Sequence, residues 1–423
     1  MESYREEVIW KGKILLLIGT KTRTTPALNQ ILLLIRRRDM KKMYKVFIVL
    51  MLVAMLLPAC TPKPAAVVAP TDLKTMTWDQ VVAQAKTEKD LVFYAWWGED
   101  FWKTAATQFE TKYGIKVNVV MADNTVDKLL AEKDNAVGTV DVQLLGGASV
   151  KTVIDAGLLY GPIVPMIPDS DKLDPTLSKV QEGVQTGGYL VPIYRNQVGI
   201  LYNPEKVANP PQTWEELQAF IDANPKQFAF CDPNKGGTGQ AMVQTVIANL
   251  TGGLDQYMTD TEVDTAKTAK WTVVWDWFKA NMDKVTFTAS NNESTDTLNQ
   301  GATSLVLAWD DDTQIAFNKG TLFKGATMYI PKFGLPGGGD TAGILKNAPH
   351  KAAGLLWLQF LTSAEMQTTL NEMIGSYPAR TDLTGIKALL GDDQRLANGR
   401  PWYPAPYKAL ASEDFTKNVL MGQ

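Results

Sequence analysis

Histidine and cysteine are almost missing from this chain. Its 423 residues include one histidine, His350, and two cysteines, Cys60 and Cys231. That count excludes zinc sites built on thiolate clusters. A Ser-His-Asp hydrolase would have to rely on His350. Its setting, Lys346-Asn347-Ala348-Pro349-His350-Lys351, reads as a polar turn before a helix, with the imidazole at the surface. Long apolar runs are missing too. The run 46–57 has 12 residues, and a membrane-crossing helix needs about 20. The run also has no polar face, which a buried amphipathic helix would show.

What surrounds that short run is informative. Lys41, Lys42 and Lys45 precede it, Pro58, Ala59 and Cys60 close it, and Pro62, Pro64 and Pro70 follow among Ala and Val. A basic segment, a short apolar segment and a small residue before a cut form a secretory signal. Cysteine at the cut resembles the lipobox of bacterial lipoproteins, with Pro58 as a departure from its usual small residue. The resemblance implies that Cys60 is acylated and becomes the mature N-terminus. Residues 1–39 fit no targeting pattern, although Arg36-Arg37 would suit a long twin-arginine-like leader. The simpler expectation is that translation starts at Met40 or Met43.

Setting aside residues 1–59 changes the charge. They hold 11 Lys and Arg and 4 Asp and Glu; taking these from 42 and 45 leaves 31 and 41, a net of −10 over 364 residues. Such a surface does not favour nucleic acid. The length suggests two domains, taking about 150 residues for each. With Cys60 acylated, Cys231 has no partner for a disulfide, and a chain of this size buries enough core to do without one.

The segment 61–71 is rich in Pro and Ala and reads as an extended tether. Beyond it, strand and helix patterns alternate. Strands are expected at 91–95, 115–119, 140–145, 189–196, 199–203 and 304–309. Phe101, Ala105, Phe109 and Tyr113 recur at helical spacing, with Gly114 as the stop. Thr213 with Glu216, and Thr362 with Glu365, read as capping boxes. Trp271, Trp275 and Phe278 form a core stripe, with Trp277 as its exposed exception. The alternation predicts an α/β fold with a mainly parallel sheet.

In order along the chain, several segments resemble family 1 of the extracellular solute-binding proteins of bacterial ABC importers. They are FETKYGIKVNV from Phe109, DAGLLYGP from Asp155, LVPIYRNQVGILYN from Leu190, PPQTWEEL from Pro210 and GLPGGGDTAGILKNAPHKAAGLLWLQFLTSAEMQ from Gly334. The resemblance implies a two-lobed, periplasmic-binding-protein-like α/β fold of class II with a hinge. By analogy the chain crosses between lobes near Tyr194, returns near Asp310 and crosses again after Gln367. That gives an upstream extension and signal at 1–59 and a lipidated tether at 60–74. Lobe 1 takes 75–194 and 310–365, and lobe 2 takes 195–309 and 366–423.

Ligands of α/β sheets sit beyond the carboxyl ends of the strands, and four loops are expected there. Trp96-Trp97-Gly98-Glu99-Asp100 offers a stacking platform with acids, or one core indole with Asp100 as an N-cap. Gly146-Gly147-Ala148-Ser149 lets a ligand approach a helix start, or is a tight turn capped by Ser149. Gly236-Gly237-Thr238-Gly239 reads more as an ordinary turn, since Lys235 precedes the glycines and a phosphate loop carries its lysine after them. Trp309-Asp310-Asp311-Asp312 sets three acids side by side, which need solvent, a cation or a helix N-terminus. Asp312 reads as the N-cap there. Tyr194, Arg195 and Asn196 join from the crossing. The candidate ligand contacts are therefore Trp97, Asp100, Ser149, Tyr194, Asn196, Thr238, Trp309 and Asp310.

The function expected is capture of a small polar solute, a sugar first, for an ABC permease and ATPase complex. Indoles stack on sugar faces, and carboxylates accept sugar hydroxyls. A cation such as a polyamine or thiamine is the alternative, favoured by the net charge and the acid cluster. An iron receptor is disfavoured by the single histidine and the lack of a Tyr-Tyr pair. A glycoside-active enzyme is a weaker rival, because Asp310 and Asp312 on one short turn cannot flank a bond at the ~5–9.5 Å required. No catalytic residue, metal or cofactor is expected. The protein is expected as a monomer in the cell envelope, lipid-anchored through Cys60 on its periplasmic or extracellular face.

Overall fold

A computed structural model describes residues 72–122 and 125–422. Cys60, the run 46–57, the starts at Met40 and Met43 and the tether up to residue 71 lie outside them.

Among the described residues, eight of the main sheet's twelve strands form its continuous path: Asp90–Ala95 (β1), Lys116–Met121 (β2), Val142–Leu145 (β3), Val191–Tyr202 (β4), Phe228–Cys231 (β5), Thr286–Thr288 (β6), Leu305–Trp309 (β7) and Leu335–Leu345 (β8). Their order is β2-β1-β3-β8-β4-β7-β5-β6. β2, β1 and β3 run parallel, as do β7, β5 and β6. The pairings β3 with β8, β8 with β4 and β4 with β7 are antiparallel. The expected mainly parallel sheet is thus two parallel triplets around an antiparallel centre. Helical connections make the triplets, while β4 and β8 run across the molecule.

The expected strand pieces 189–196 and 199–203 are one continuous strand, β4. Gln197-Val198, which reads as a break between the two pieces, is where the strand passes from one hydrophobic core to the other. One core gathers residues from Leu73 to Tyr194 and from Ala342 to Ala379. The other gathers residues from Val198 to Leu335 and from Leu390 to Val419. Core membership therefore switches within β4, within β8 and between Ala379 and Leu390. Asp310 lies inside the second stretch.

Each core is aromatic at its centre. In the first, Phe93 meets Trp102 and Trp357 edge-on, at centroid distances of 5.1 and 5.7 Å. In the second, Trp271, Trp275 and Phe278 are buried, as their spacing predicted. Trp271 Nε1 donates to Tyr257 Oη at 3.0 Å, so its polar edge is satisfied. Trp277 is half-buried rather than exposed and donates to Gln218 Oε1 at 2.6 Å.

Local signals mostly hold. The helix Glu99–Tyr113 ends at Gly114. Thr213 and Glu216 form their capping box, with Thr213 Oγ1 accepting from Glu216 N at 3.2 Å. The second box shifts by one residue. Ser363 caps the helix Ala364–Ile374, because Thr362 ends the preceding helix Lys351–Leu361 and donates to Leu358 O at 2.9 Å. His350 is not a free surface residue. Its Nδ1 lies 3.1 Å from the buried Asp141 carboxylate, which also accepts from His350 N at 2.7 Å.

The β4–β8 pairing carries a bulge. Asp340 faces Tyr194, but Thr341 faces Pro192, so Ile193 is the extra residue. Its carbonyl accepts from Gln367 Nε2 at 2.8 Å, and Gln367 Oε1 accepts from Ala379 N at 2.6 Å. Gly339 is required beside the bulge, because a Cβ there would lie 1.9 Å from Tyr194 O. Gly339→Ala must push the crossing strands apart. A loss of about 1–3 kcal/mol is expected, as for other overpacked sites. The midpoint of denaturant unfolding checks it, with an unchanged midpoint as the contrary result.

Candidate functional site

The carboxyl ends of β1, β3, β5 and β7 meet at one cleft of about 550 Å³. All four expected loops reach it. Trp96 and Trp97 come from the first, Gly146 and Gly147 from the second, Lys235 and Gly237 from the third, and Trp309, Asp311 and Asp312 from the fourth. Gly237 is needed for contact, since a Cβ there would lie 2.6 Å from the Trp309 ring. That glycine lets the indole lie against the start of the helix Gly237–Thr251.

Four of the eight sequence candidates line the cleft: Trp97, Tyr194, Asn196 and Trp309. Trp97 Nε1 donates to Tyr194 Oη at 2.5 Å, and the two rings meet edge-on at 4.9 Å. Tyr194 Oη donates in turn to the Asp340 carboxylate. Asn196 Nδ2 donates to Asp311 Oδ2 at 3.3 Å.

The other four do not line it. Asp100 is exposed, one residue into the helix Glu99–Tyr113, and lies 3.7 Å from Lys319. Gly98, not Asp100, holds the N-cap position. Ser149 donates to Gly146 O at 2.6 Å and faces an adjoining hollow beyond Trp96. Thr238 is buried, held by Asn291 Oδ1 at 2.9 Å. Asp310 is buried behind the cleft wall. Its carboxylate accepts from Gln197 N at 2.9 Å and from the Arg395 guanidinium. Arg195 also stays outside, binding Pro378 O at 2.9 Å and Asp174 at 3.4 Å.

The acid cluster is organised by helix geometry. The helix starts at Asp310, with Trp309 in the N-cap position, so all three acids occupy its first turn. This replaces the expected cap at Asp312. The positive end of the helix favours carboxylates there. Burial works against them, together with their mutual repulsion. Desolvation pushes Asp311 well above the usual carboxylate range, and Asp312 up to about 6. In the same cleft, desolvation raises Asp340 to about 7, against the lowering effect of its hydrogen bond from Tyr194.

Sequence reasoning missed Asp340, Glu182, Trp402 and Lys408. Asp340 follows Gly337-Gly338-Gly339, and a carboxylate closing a glycine run is a signal that could have been used. The others come from segments remote from the strand ends. Glu182 Oε2 pairs with Lys408 Nζ at 2.6 Å, and its Oε1 accepts from Gly147 N at 3.1 Å. Lys408 Nζ sits 3.8 Å from the centroid of Trp402, whose ring is 6.3 Å from that of Trp309. The cleft thus has aromatic walls and more acids than bases.

A family model described as bacterial extracellular solute-binding protein matches residues 104–389, more than half of the chain. The chain belongs to that family. No curated protein sequence matches this solute-binding protein significantly. Solved structures share its fold. The periplasmic binding protein AfuA from Actinobacillus pleuropneumoniae, with exogenous fructose-6-phosphate bound, matches with TM-score 0.60 and 20% identity over 79% of this chain and 99% of that one. The spermidine/putrescine ABC transporter substrate-binding protein PotD from Streptococcus pneumoniae, in complex with calcium and HEPES, gives 0.62 and 14% over 79% and 100%. Iron-bound HitA from Pseudomonas aeruginosa gives 0.55 and 19% over 79% and 99%. At these identities the likeness establishes the fold, that of the two-lobed periplasmic binding proteins. Among the described residues, no helix of this solute-binding protein is long and apolar enough to cross a membrane.

The wall behind the cleft depends on one buried pair. Arg395 covers the Tyr377 ring at 3.7 Å and supplies the cation for Asp310. Removing it leaves a buried carboxylate unpaired, which costs about 3–5 kcal/mol. Arg395→Ala is expected to lower stability by about 3 kcal/mol, read as a drop in melting temperature. Stability equal to the parent protein would show that Asp310 does not depend on this pair.

Proposed function

We propose that this extracellular solute-binding protein captures a small organic cation in its cleft and hands it to an ABC transporter permease. The observation that carries this is the set Asp311, Asp312 and Asp340 within aromatic walls. Among the described residues none of the three forms an ion pair, and Lys408, one of the two lysines lining the cleft, is already joined to Glu182. An ammonium group would relieve their desolvation and gain cation–π contact with the indoles. Family membership supports binding rather than turnover. The engagement of Asp310 with Gln197 and Arg395 speaks against its use as half of a glycosidase pair.

A sugar is the second reading. It is favoured by the amide residues Asn196, Gln240, Asn291 and Asn292, which line the cleft together with the indoles. The lobes of the proposed receptor follow the two cores, with crossings in β4, in β8 and between Ala379 and Leu390. That division keeps Met366 to Ile374 with the first lobe and Leu322 to Leu335 with the second.

The two solute classes differ in pH response. Asp340 at about 7 and Asp312 at about 6 are protonated in the empty cleft at low pH. Above the unfolded carboxylate value of about 4, the unfolded chain loses these protons first, so the empty protein loses stability as pH rises from there towards 7. A bound cation favours the ionised acids and offsets that loss. Thermal-shift titrations with amines, thiamine and hexoses are expected to find an amine whose affinity rises up to about tenfold per unit between pH 5 and 7. Trp309→Ala should weaken it by at least about tenfold while the protein stays folded. A hexose that binds with no pH dependence, and no amine that binds, would replace the cation with the sugar.

We also propose that Cys60 carries a lipid anchor, supported by the apolar run and cysteine of the signal. Cys60→Ala should abolish incorporation of labelled palmitate and release the protein from membranes. Retained label would refute the anchor.

A further inference from the structure

Lys408 occupies a position that capture of a cation does not by itself explain. It projects from the helix Ala405–Phe415 into the cleft and is nearly buried. Its Nζ lies 3.8 Å from the Trp402 centroid and 2.6 Å from Glu182 Oε2. An ammonium held over an indole face and against a carboxylate is the arrangement an organic cation adopts when bound. Here the protein's own side chain fills it. Trp402 in turn approaches Trp309, so the filled position is continuous with the rest of the cleft.

A second position remains open. Asp340 lines it with Tyr194 and Trp97, and Asp311 and Asp312 line the same cleft in the helix turn that follows Trp309. The cleft therefore holds two aromatic and acidic positions, one satisfied internally and one not. We propose that Lys408 acts as a tethered occupant of the first position and thereby restricts this site to solutes bearing one ammonium group. A solute with ammonium groups at both ends would bring its second charge against Lys408. To bind, it would have to displace a buried ion pair, which leaves one charge desolvated and unpartnered.

The proposal rests on the reading of the solute as a cation, and a matched pair of probes separates the two. 4-Amino-1-butanol and putrescine differ in one end group, hydroxyl against ammonium. By calorimetric titration the parent protein is expected to bind the amino alcohol at least tenfold more tightly. Lys408→Met vacates the first position and leaves Glu182 available. It should bind putrescine at least tenfold more tightly than the parent, and its gain for putrescine should exceed its gain for the amino alcohol at least tenfold. The double variant Glu182→Gln/Lys408→Met should lose that gain, because the second acid partner is gone. A merely structural role for Lys408 would weaken both probes alike.

Failure of both amines to bind the parent protein overturns the cation reading, and this inference with it. Binding of putrescine by the parent as tightly as the amino alcohol overturns the inference alone. So does a folded Lys408→Met that gains nothing for putrescine. If Lys408→Met does not fold, the parent comparison still decides, since it requires no substitution.

Discussion

The antiparallel pairing of β4 with β8 is the constraint on which both cores and the cleft depend. Each strand begins in one core and ends in the other, so their ladder is the covalent and hydrogen-bonded joint of the molecule. The bulge at Ile193 re-aims the chain at the junction and places Tyr194 opposite Asp340. Bulged backbone leaves a carbonyl unpaired, and a buried unpaired carbonyl is costly. Gln367, buried on the helix Ala364–Ile374, satisfies it and ties the joint to the first core. Gly339 then lets the two backbones approach closely enough for the ladder to persist beside the bulge. The Tyr194–Asp340 contact in the cleft is a direct consequence of this register.

The second organising element is the helix Asp310–Lys319. It sits at the junction of the two halves: Ile315 packs against the first core, and Ala316 and Phe317 pack against the second. Its first turn divides three successive acids between two tasks. Asp310 points back, accepts from Gln197 N on β4 and holds Arg395, so it fixes the helix to the joint. Asp311 and Asp312 line the cleft, where desolvation drives them towards the protonated form. Adjacent residues on a helix project about 100° apart, which is why neighbours in sequence serve such different surroundings. The cleft acids are destabilising when the site is empty, a usual feature of sites held ready for a ligand.

This division explains what the sequence could reveal. Strand and helix positions follow from local periodicity and caps, so β1, β2, β3, β7 and the helix Glu99–Tyr113 were legible from apolar spacing and from Gly114. The four cleft loops were legible because ligand sites of α/β sheets form at strand carboxyl ends. Within those loops the choice of side chain was not legible. The sequence favours Asp310 over Asp311 and Asp312 as the contact, yet the helix phase that turns it inward depends on where the first turn starts, at Asp310 itself. Thr238 and Ser149 looked available in glycine-rich turns, but their hydroxyls are taken up locally by Asn291 and Gly146. Glu182, Trp402 and Lys408 come from segments whose local pattern carries no hint of the cleft. Glu182 reaches it from the hairpin around residues 180–185, whose Val184 packs on the first core, and Trp402 and Lys408 reach it from the C-terminal segment that packs into the second core. The antiparallel centre of the sheet was also hidden, since it follows from where β8 returns and not from its own composition.

Closure and release in a two-lobed receptor demand that the halves adhere weakly without solute. The pair Glu182 with Lys408 is suited to that demand. Both ends are nearly buried, so the Coulomb attraction is set largely against the loss of hydration, and the net gain from contact is small. A hydrophobic seal of the same area would hold the halves together more strongly and would oppose opening. The same pair nonetheless discriminates sharply, because breaking it from one side exposes an uncompensated charge. An ion pair that contributes little to stability can thus contribute much to selectivity. Asp340 lies within electrostatic reach of both partners, raised by Glu182 and lowered by Lys408. Any solute charge that settles beside Asp340 is therefore felt at the pair as well. The unpaired acid of the cleft and the contact between the halves thus share three neighbouring charged side chains, Asp340, Glu182 and Lys408.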